Sequence, residues 1–381
     1  MDRRLERWQA RRAAHLAALP WLATEGAGAR PVRYVSGELL AVDANYDDAR
    51  SAISAQGKGS GDLVEDEPLP GVRRIRAQGL DVLRAARRVR ERVGDVPVGP
   101  NHVLLGSPYE QGGPFGRPVM STAAALAAAG TDAPVRVVVM DTGVWADSPL
   151  PASRYAVGDS DYETNVDADR DSVIDSDVGH ANFIAGVVLQ GTSRARVRIV
   201  KVLDSFGVGT ELDLARKIAK LDDADILNLS LGAYTVDDRP PVLLRVALDR
   251  FLSGRDRLAV AAAGNDGQAG PAFWPAAFAG TDLPWKDQVL AVAAHDGRAV
   301  CPWSNTGPWV NIAAPGADVV STYINHPDFS TGWAAWSGTS FATPHVVAAI
   351  ADAAQPGGVV AAAKQVRSGA VRSFAGYPAI S

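Results

Sequence analysis

Three polar residues of this sequence, Asp141, His180 and Ser340, together carry the groups that acyl transfer needs. A hydroxyl can attack a carbonyl carbon, an imidazole can move the proton, and a carboxylate can orient the imidazole. Asp141 follows an apolar run, His180 opens an apolar helical segment, and Ser340 begins another after a Gly-Thr turn. Each residue alone also fits an ordinary structural role, such as a helix cap. Because all three stand at predicted strand-helix junctions, the sequence favours a catalytic set.

A fourth candidate is Asn265, which follows the apolar run AVAAAG. Its amide side chain can donate a hydrogen bond to a developing oxyanion. The alternative is a turn asparagine, because Asp266 and Gly267 follow it and such turns are common. Both interpretations stay open at this point.

The elements that must position these residues alternate from residue 135 onward. Short, almost continuously apolar runs predict a parallel sheet buried on both faces. These runs are residues 136–140, 197–203, 225–230, 257–263 and 288–294, and helices are predicted at 181–190, 211–221, 241–253 and 340–353. The predicted fold class is α/β, a mainly parallel sheet with helices on both faces. In such sheets ligands bind beyond the carboxyl ends of the strands.

A smaller module is predicted before this sheet. Residues 3–19 suit a basic amphipathic helix, which either packs on its own protein or binds a membrane or a partner. Residues 32–106 show a β-α-β-α-β order, with strands at 32–42, 72–77 and 102–105 and helices at 46–55 and 80–93. We therefore expect an N-terminal helix and small α/β module (1–106), a connector (107–134), a main domain (135–355) and a C-terminal tail (356–381).

Composition excludes several classes of protein. The chain has 38 Lys+Arg against 43 Asp+Glu, a formal net charge of -5, which argues against a protein built to bind nucleic acid. Its apolar stretches fall short of the roughly 20 residues of a membrane-spanning helix. The single Cys301 can form neither an intrachain disulfide nor a Cys-rich zinc site. The start, MDRRLERWQARR, does not resemble a secretory signal, so we expect a cytoplasmic protein.

The order Asp, His, Ser and the residues around each one resemble the subtilisin-like serine proteases, the subtilases. MDTGV matches the family's D-[ST]-G segment, and GTSFATPHV matches G-T-S-M-A-[ST]-P-H-V except at Phe341. Further matching segments are Ala262–Asn265 (AAGN), Ser230–Gly232 (SLG), Lys201–Leu203 (KVL), Gly207–Gly209 (GVG) and Ala314–Gly316 (APG). The resemblance covers about residues 135–353. The His segment departs from H-G-T-H-V-A-G, because Ala181, Asn182 and Phe183 replace Gly, Thr and the second His.

The resemblance implies a serine endopeptidase with a subtilisin-like fold and a Ser-His-Asp triad. Ser340 is then the nucleophile, His180 the general base and Asp141 its orienting carboxylate, while Asn265 and the Ser340 N–H stabilise the oxyanion. No cofactor is required for the chemistry. A peptide or protein substrate is expected to lie extended between Ser230, Leu231 and Gly232 on one side and Gly207, Val208 and Gly209 on the other. The altered His segment motivates one alternative, a non-catalytic peptide-binding protein on the same scaffold; an esterase is a weaker one.

An acidic loop over residues 159–177 leads directly to His180. Asp167, Asp169, Asp171 and Asp175 form a D-x-D-x-D-x-x-x-D spacing that resembles calcium loops, although Ser172 stands where such loops turn on glycine. We retain three interpretations: a structural calcium site, a solvated acidic loop, and attraction of basic residues in the substrate.

The small N-terminal module also has a family interpretation. Subtilases often carry a small α/β prodomain that assists folding and inhibits the site, and the position and element order of this module suit that role. Cleavage on activation is then expected within residues 103–118. The alternative is a permanent binding or regulatory domain.

Overall fold

The computed structural model describes residues 3–26, 31–106, 117–127, 135–155, 159–354 and 358–381. The predicted connector, 107–134, lies largely outside these residues. The helices are α1 (Arg3–Ala18), α2 (Tyr46–Ser54), α3 (Val82–Val93), α4 (His180–Gly191), α5 (Glu211–Ile218), α6 (Val242–Leu252), α7 (Thr339–Ala353) and α8 (Gly358–Ser368). The strands are β1 (Leu22–Glu25), β2 (Val32–Val42), β3 (Val64–Leu69), β4 (Val72–Arg76), β5 (Val98–Leu105), β6 (Val119–Met120), β7 (Val135–Asp141), β8 (Ala195–Lys201), β9 (Val208–Thr210), β10 (Ile226–Leu229), β11 (Leu258–Ala262), β12 (Val289–His295), β13 (Ile312–Pro315), β14 (Val319–Thr322), β15 (Trp333–Trp336), β16 (Arg372–Phe374) and β17 (Tyr377–Ala379).

The main sheet has eight strands in the order β16-β17-β13-β12-β11-β10-β7-β8. Its neighbouring strands run parallel except for β16 and β17, which are antiparallel. The apolar runs that predicted strands form β7, β8, β10, β11 and β12. The predicted α/β fold, a mainly parallel sheet with helices on both faces, is confirmed.

Alternation along β7 shows how the two faces of this sheet are covered. Val137 and Val139 belong to the hydrophobic core that contains α4 and α7. Val138 and Met140, which point to the opposite face, belong to the core that contains α5 and α6. Hydrophobic cores therefore cover both faces of the sheet. The polar candidate residues lie instead at the strand ends, at Asp141 and after Ala262.

The N-terminal residues form a second sheet in the order β3-β4-β2-β5-β9, with β1 paired to β2. Helices α2 and α3 pack on one face of it through Ile53, Ala85 and Val89. Strand β5 pairs antiparallel with β9, which precedes α5 of the main fold. The N-terminal sheet is therefore continuous with a segment beside the candidate site.

Strand β3 is missing from the sequence prediction for a physical reason. Its sequence, VEDEPL, is acidic and lacks apolar alternation. Arg74 on the neighbouring strand β4 instead donates two hydrogen bonds of 2.8 Å to the Asp66 carboxylate. Cross-strand charge pairing thus stabilises a strand that hydrophobic periodicity cannot indicate.

Helix α1 packs on its own protein, as one of the two interpretations of residues 3–19 expected. Its Leu16 lies in a small core with Val103, Phe206 and Val208. Among the described residues, no single helix is long and apolar enough to cross a membrane; α7 and α8 reach that length only when taken together across a bend of 113°.

The expected C-terminal tail, 356–381, is corrected by the structure. Its described residues form α8, β16 and β17, and β17 pairs with β13 of the main sheet. Helix α8 packs against the main core through Val359, Ala362 and Ala363. Strands of three residues carry too few side chains for a period-two pattern to be visible in the sequence.

Candidate active site

Asp141 and His180 form a fully buried pair at the end of β7 and the start of α4. His180 Nδ1 lies 2.7 Å from Asp141 Oδ1, and the Thr142 N–H donates to the same oxygen at 2.8 Å. Because a carboxylate only accepts, Nδ1 carries the proton and His180 Nε2 presents its lone pair. Nε2 has no hydrogen-bond partner among the described residues. The imidazole is thus oriented to accept a proton.

The residues that depart from the family's His segment have structural partners. Asn182 Oδ1 accepts from the Trp145 N–H at 2.8 Å, and Asn182 Nδ2 donates to the Trp145 carbonyl at 2.9 Å. The Phe183 ring packs 4.5 Å from the Phe341 ring, measured between centroids. The Ala181 N–H donates to Thr142 Oγ1. These contacts fix the start of α4 and leave His180 in place.

Gly179 shows why a glycine precedes His180. Its φ of +80° is left-handed, and a Cβ there would lie 2.6 Å from the Tyr323 ring and 2.9 Å from Ile324. The close approach of Tyr323, whose hydroxyl donates to the Val178 carbonyl at 2.7 Å, holds this turn.

Ser340 is the second residue of α7. Its hydroxyl donates to the Ser230 carbonyl at 3.2 Å, and in this conformation it makes no hydrogen bond to His180 Nε2. Catalytic hydrogen bonds are often loose in proteins without substrate, and rotation about χ1 of Ser340 changes the acceptor. The Ser340 carbonyl has lost its helical partner because Pro344 has no N–H, and Ser230 Oγ donates to it at 2.8 Å instead.

Hydrogen bonds to its side-chain oxygen fix the orientation of the Asn265 amide. Its Oδ1 accepts from the Thr339 N–H at 2.8 Å and from Thr339 Oγ1 at 2.9 Å. The amide nitrogen is therefore directed away from Thr339, in the cavity that Asn265 and Ser340 line together. This geometry suits a donor to an oxyanion and disfavours the simple turn interpretation.

An aromatic wall beside His180 was missed in the sequence analysis. The Trp336 and Phe341 rings lie 5.5 Å and 5.3 Å from the imidazole, between centroids. Phe341 was visible as the departure from the Ser motif, but Trp336 carried no signal. The wall shields the imidazole from water on that side.

The two predicted substrate-binding segments flank a groove in which the chain's own strand β5 lies. Leu105 and Gly232 exchange two backbone hydrogen bonds of 2.9 Å, and on the other side Val208, Gly209 and Thr210 pair with β5. Gly106 then donates its N–H to the Gly207 carbonyl at 2.7 Å. The two segments thus pair with an extended segment of the same chain, and substrate binding there stays a prediction.

Two glycines make this close approach possible. A Cβ at Gly209 would lie 2.2 Å from the Val202 carbonyl oxygen, and one at Gly232 would lie 2.6 Å from the Trp274 carbonyl oxygen. Larger residues would displace the strands that form the groove.

The carboxylates of the acidic loop have two kinds of neighbour: three cluster together, and one is paired with an arginine of α1. Ligand oxygens of Asp167, Asp169 and Asp175 all lie within 4.8 Å of one another. Asp171 is not part of this group, because its carboxylate accepts from Arg11 of α1 at 2.5 Å. The structure thus brings together three of the four predicted calcium ligands and leaves Asp171 outside the group. Arg11 Nη2 also lies 3.6 Å from Asp169 and 3.9 Å from Asp175.

Comparisons with a family profile and with individual known proteins agree on one family for this chain. The subtilase family profile matches residues 132–374. The Thermophilic serine proteinase of Bacillus sp. (strain AK1) is 32% identical over 227 residues, 55% of this chain and 49% of that protein. Thermitase of Thermoactinomyces vulgaris is 32% identical over 224 residues, 55% of this chain and 71% of that protein. Minor extracellular protease Epr of Bacillus subtilis is 32% identical over 229 residues, 57% of this chain and 31% of that protein.

The alignments thus span about half of the first of these relatives and a third of Epr. They also correct one expectation. The predicted cytoplasmic location is wrong, because similar proteins are named as extracellular proteases, Epr and the halolysin-like protease Nep of Natrialba magadii. A charged start and a single cysteine do not determine a compartment.

Proposed function

The chain belongs to the subtilase family, and from that premise we propose that it is a serine endopeptidase that cleaves peptides or proteins. The observation that carries this proposal is the buried Asp141–His180 pair, with Ser340 and the Asn265 amide facing one groove. An extended strand of the same chain already lies in that groove. The site therefore suits a peptide backbone better than a small ester.

The proposed reaction is acyl transfer in two stages. The Ser340 hydroxyl gives its proton to His180 Nε2 while Oγ bonds to the scissile carbonyl carbon. His180 then gives that proton to the leaving amine, and the C–N bond breaks to leave an acyl-enzyme. Water repeats the sequence and releases the acid. Asp141 holds the tautomer and stabilises the charged imidazole. None of these steps uses a cofactor.

The oxyanion is stabilised from two directions. Asn265 Nδ2 donates a hydrogen bond to it, and the Ser340 N–H at the start of α7 donates another. The positive end of the α7 dipole favours negative charge at the same place. A donor already fixed before the reaction needs no reorganisation when the charge develops.

The test of this proposal is labelling with a fluorophosphonate, which reacts only with an activated serine. We expect the full chain to be labelled at Ser340, the Ser340→Ala variant to remain unlabelled, and Ser330→Ala, which removes an exposed serine, to be labelled like wild type. A folded wild-type protein that stays unlabelled after its N-terminal module has been cleaved off would instead support the alternative, a peptide-binding protein on the same scaffold.

The N-terminal module is proposed to act as a prodomain, because β5 lies where a substrate would lie. The test is the intact mass of wild type beside Ser340→Ala. Loss of the N-terminal residues up to a point within 103–118, in wild type alone, is expected; most of that region lies outside the described residues. If both proteins keep their full length, the module is a permanent domain or an uncut inhibitor.

A structural calcium site is the last part of the proposal. Asp167, Asp169 and Asp175 would hold the ion, and hard carboxylate oxygens suit calcium. Asp175 fits this role because it is buried and its Oδ1 accepts no hydrogen bond from the described residues. The ion would stabilise the loop before His180 and take no part in the chemistry.

A further inference from the structure

A phenylalanine side chain lies in the cavity beside the proposed nucleophile. Ser340, Asn265 and Phe273 line this cavity, together with Gly232 and Gly264. The peptide carbonyl that Ser340 attacks has to bring its oxygen to the Asn265 amide. Because the carbonyl carbon is bonded to the Cα of the same residue, the side chain of that residue has to enter the same cavity.

The Phe273 ring spans the gap between Gly232 and Gly264. A Cβ built at Gly232 would lie 2.3 Å from Cε1 of the ring, and one built at Gly264 would lie 3.1 Å from its Cγ and Cδ1. Non-bonded carbon atoms normally stay about 3.5–4.0 Å apart. The ring therefore takes up the space that the two glycines leave open beside Ser340.

The neighbours of Phe273 hold its ring in this position. The Tyr234 ring packs against it in a T-shaped arrangement, with 5.2 Å between the two centroids. The Tyr234 hydroxyl donates to the Asp266 carboxylate at 3.0 Å and accepts from Asn305 Nδ2 at 3.0 Å, so this tyrosine is itself fixed. The backbone is fixed as well, because the Phe273 carbonyl accepts from the Ala277 N–H at 2.8 Å.

We propose that Phe273 is a specificity-determining residue that restricts the substrate residue before the cleaved bond to a small side chain, that of glycine, alanine or serine. A leucine or phenylalanine side chain would overlap the ring, and forcing extra atoms into a packed site is unfavourable. A small side chain leaves the ring in place and covers its exposed part. This inference rests on the proposed function, since it names the substrate class of the same groove.

The first test uses the natural sequence without any variant. Peptides that differ only in their last residue carry alanine, leucine or phenylalanine there, followed by a p-nitroanilide, which fixes the cleaved bond. The protein is expressed as the full chain, and fluorophosphonate labelling counts its competent sites. We expect kcat/KM to be about 10–200-fold higher for alanine than for phenylalanine, the range that discrimination by pocket size reaches. Equal values, or a preference for phenylalanine, would overturn the inference.

Removing the ring then tests whether Phe273 causes the preference. In Phe273→Ala, the phenylalanine of the peptide refills the emptied space, so its kcat/KM should rise about 10–100-fold while that of the alanine peptide changes little. Phe374→Ala is the matched control, because it truncates another partly buried phenylalanine, on β16 and outside the cavity. A Phe273→Ala variant that keeps the selectivity of the wild type would overturn the inference.

Labelling separates failure of this inference from failure of the proposed function. A protein that stays unlabelled after its N-terminal module has been cleaved off would overturn both. A protein that is labelled but shows no preference for alanine would overturn only the role of Phe273. If Phe273→Ala does not fold, Phe273→Leu takes its place, because it frees part of the space and keeps an apolar side chain. In that variant kcat/KM for the leucine peptide should rise relative to wild type, and an unchanged value would overturn the inference.

Discussion

At the scale of single residues, Asn265 and Ser340 are each positioned by a neighbour that the sequence does not indicate. Thr339 holds the oxygen of Asn265, and Ser230 supplies the hydrogen bond that Pro344 cannot give to the Ser340 carbonyl. The catalytic candidates were predictable from the sequence because their residue types and their order along the chain match those of subtilases. Ser230 lies 110 residues from Ser340, so its role depends on tertiary contact and could not be predicted.

The Asn265 donor gives the first prediction. Asn265→Ala should lower kcat by about 10²–10³-fold, the precedent set by the same donor in subtilisin, because the oxyanion loses a preorganised hydrogen bond. KM should change little, since the donor acts on charge that develops in the transition state. Steady-state kinetics on a peptide substrate measures both constants. Asn325→Ala, an exposed asparagine, is the control; an unchanged kcat for Asn265→Ala would remove this residue from the oxyanion site.

At the scale of elements, the apolar strands were predictable from the sequence, whereas the polar and the very short strands were not. Strands β7, β10 and β11 are buried on both faces, and hydrophobic runs of that kind are a direct signal. Strand β3 is stabilised by charge pairs, and β17 is a strand of only three residues between β16 and β13; neither leaves a periodic pattern. The docking of α1 on the acidic loop depends on two distant segments meeting, which periodicity cannot show.

That docking leads to a prediction about calcium. The Arg11 guanidinium lies within 4 Å of two of the three proposed ligands, so it competes with the ion for them. Arg11→Gln should tighten calcium binding by roughly fivefold to thirtyfold, since one nearby positive charge at a partly exposed site is worth on the order of 1–2 kcal/mol. Titration calorimetry in the Ser340→Ala background measures the Kd. Arg73→Gln serves as control, and no calcium binding in either protein would remove the metal site from the account.

At the scale of the whole molecule, the N-terminal sheet and the main fold are joined through the pairing of β5 with β9. The main sheet itself was predictable from the sequence because short apolar runs alternate regularly with helical segments. The position of β5 in the groove was not predicted, because no residue of the module indicates where it binds; the family resemblance implied only a prodomain that inhibits the site.

Two histidines with lowered pKa values should contribute less to the stability of the folded molecule in acid. Burial lowers the pKa of His345 to about 4, and it lowers the pKa of His295 as well. Between pH 6.5 and 4 the unfolded chain takes up a proton at His345 that the folded chain does not. The contribution of His345 to the free energy of unfolding should therefore fall as pH drops through this range, by up to about 3 kcal/mol. Asp266, whose pKa burial raises to about 6, contributes with the opposite sign, because the folded chain takes up its proton first.

Urea unfolding from pH 7 to pH 4 measures this loss, in the Ser340→Ala background so that self-digestion does not interfere. His345→Asn should remove this contribution, so that the variant gains stability relative to the parent protein as the pH drops from 7 to 4. A curve with the same slope as that of the parent protein would show that His345 does not titrate in this way.

The proposed function depends above all on covalent catalysis of peptide-bond cleavage by Ser340. Its most direct test is the hydrolysis rate of one peptide by wild type and by Ser340→Ala, both purified as the full chain. We expect Ser340→Ala to lose about 10⁶-fold in turnover, the subtilisin precedent for a triad that acts as a unit. A Ser340→Ala variant that cleaves the peptide as fast as wild type would contradict it.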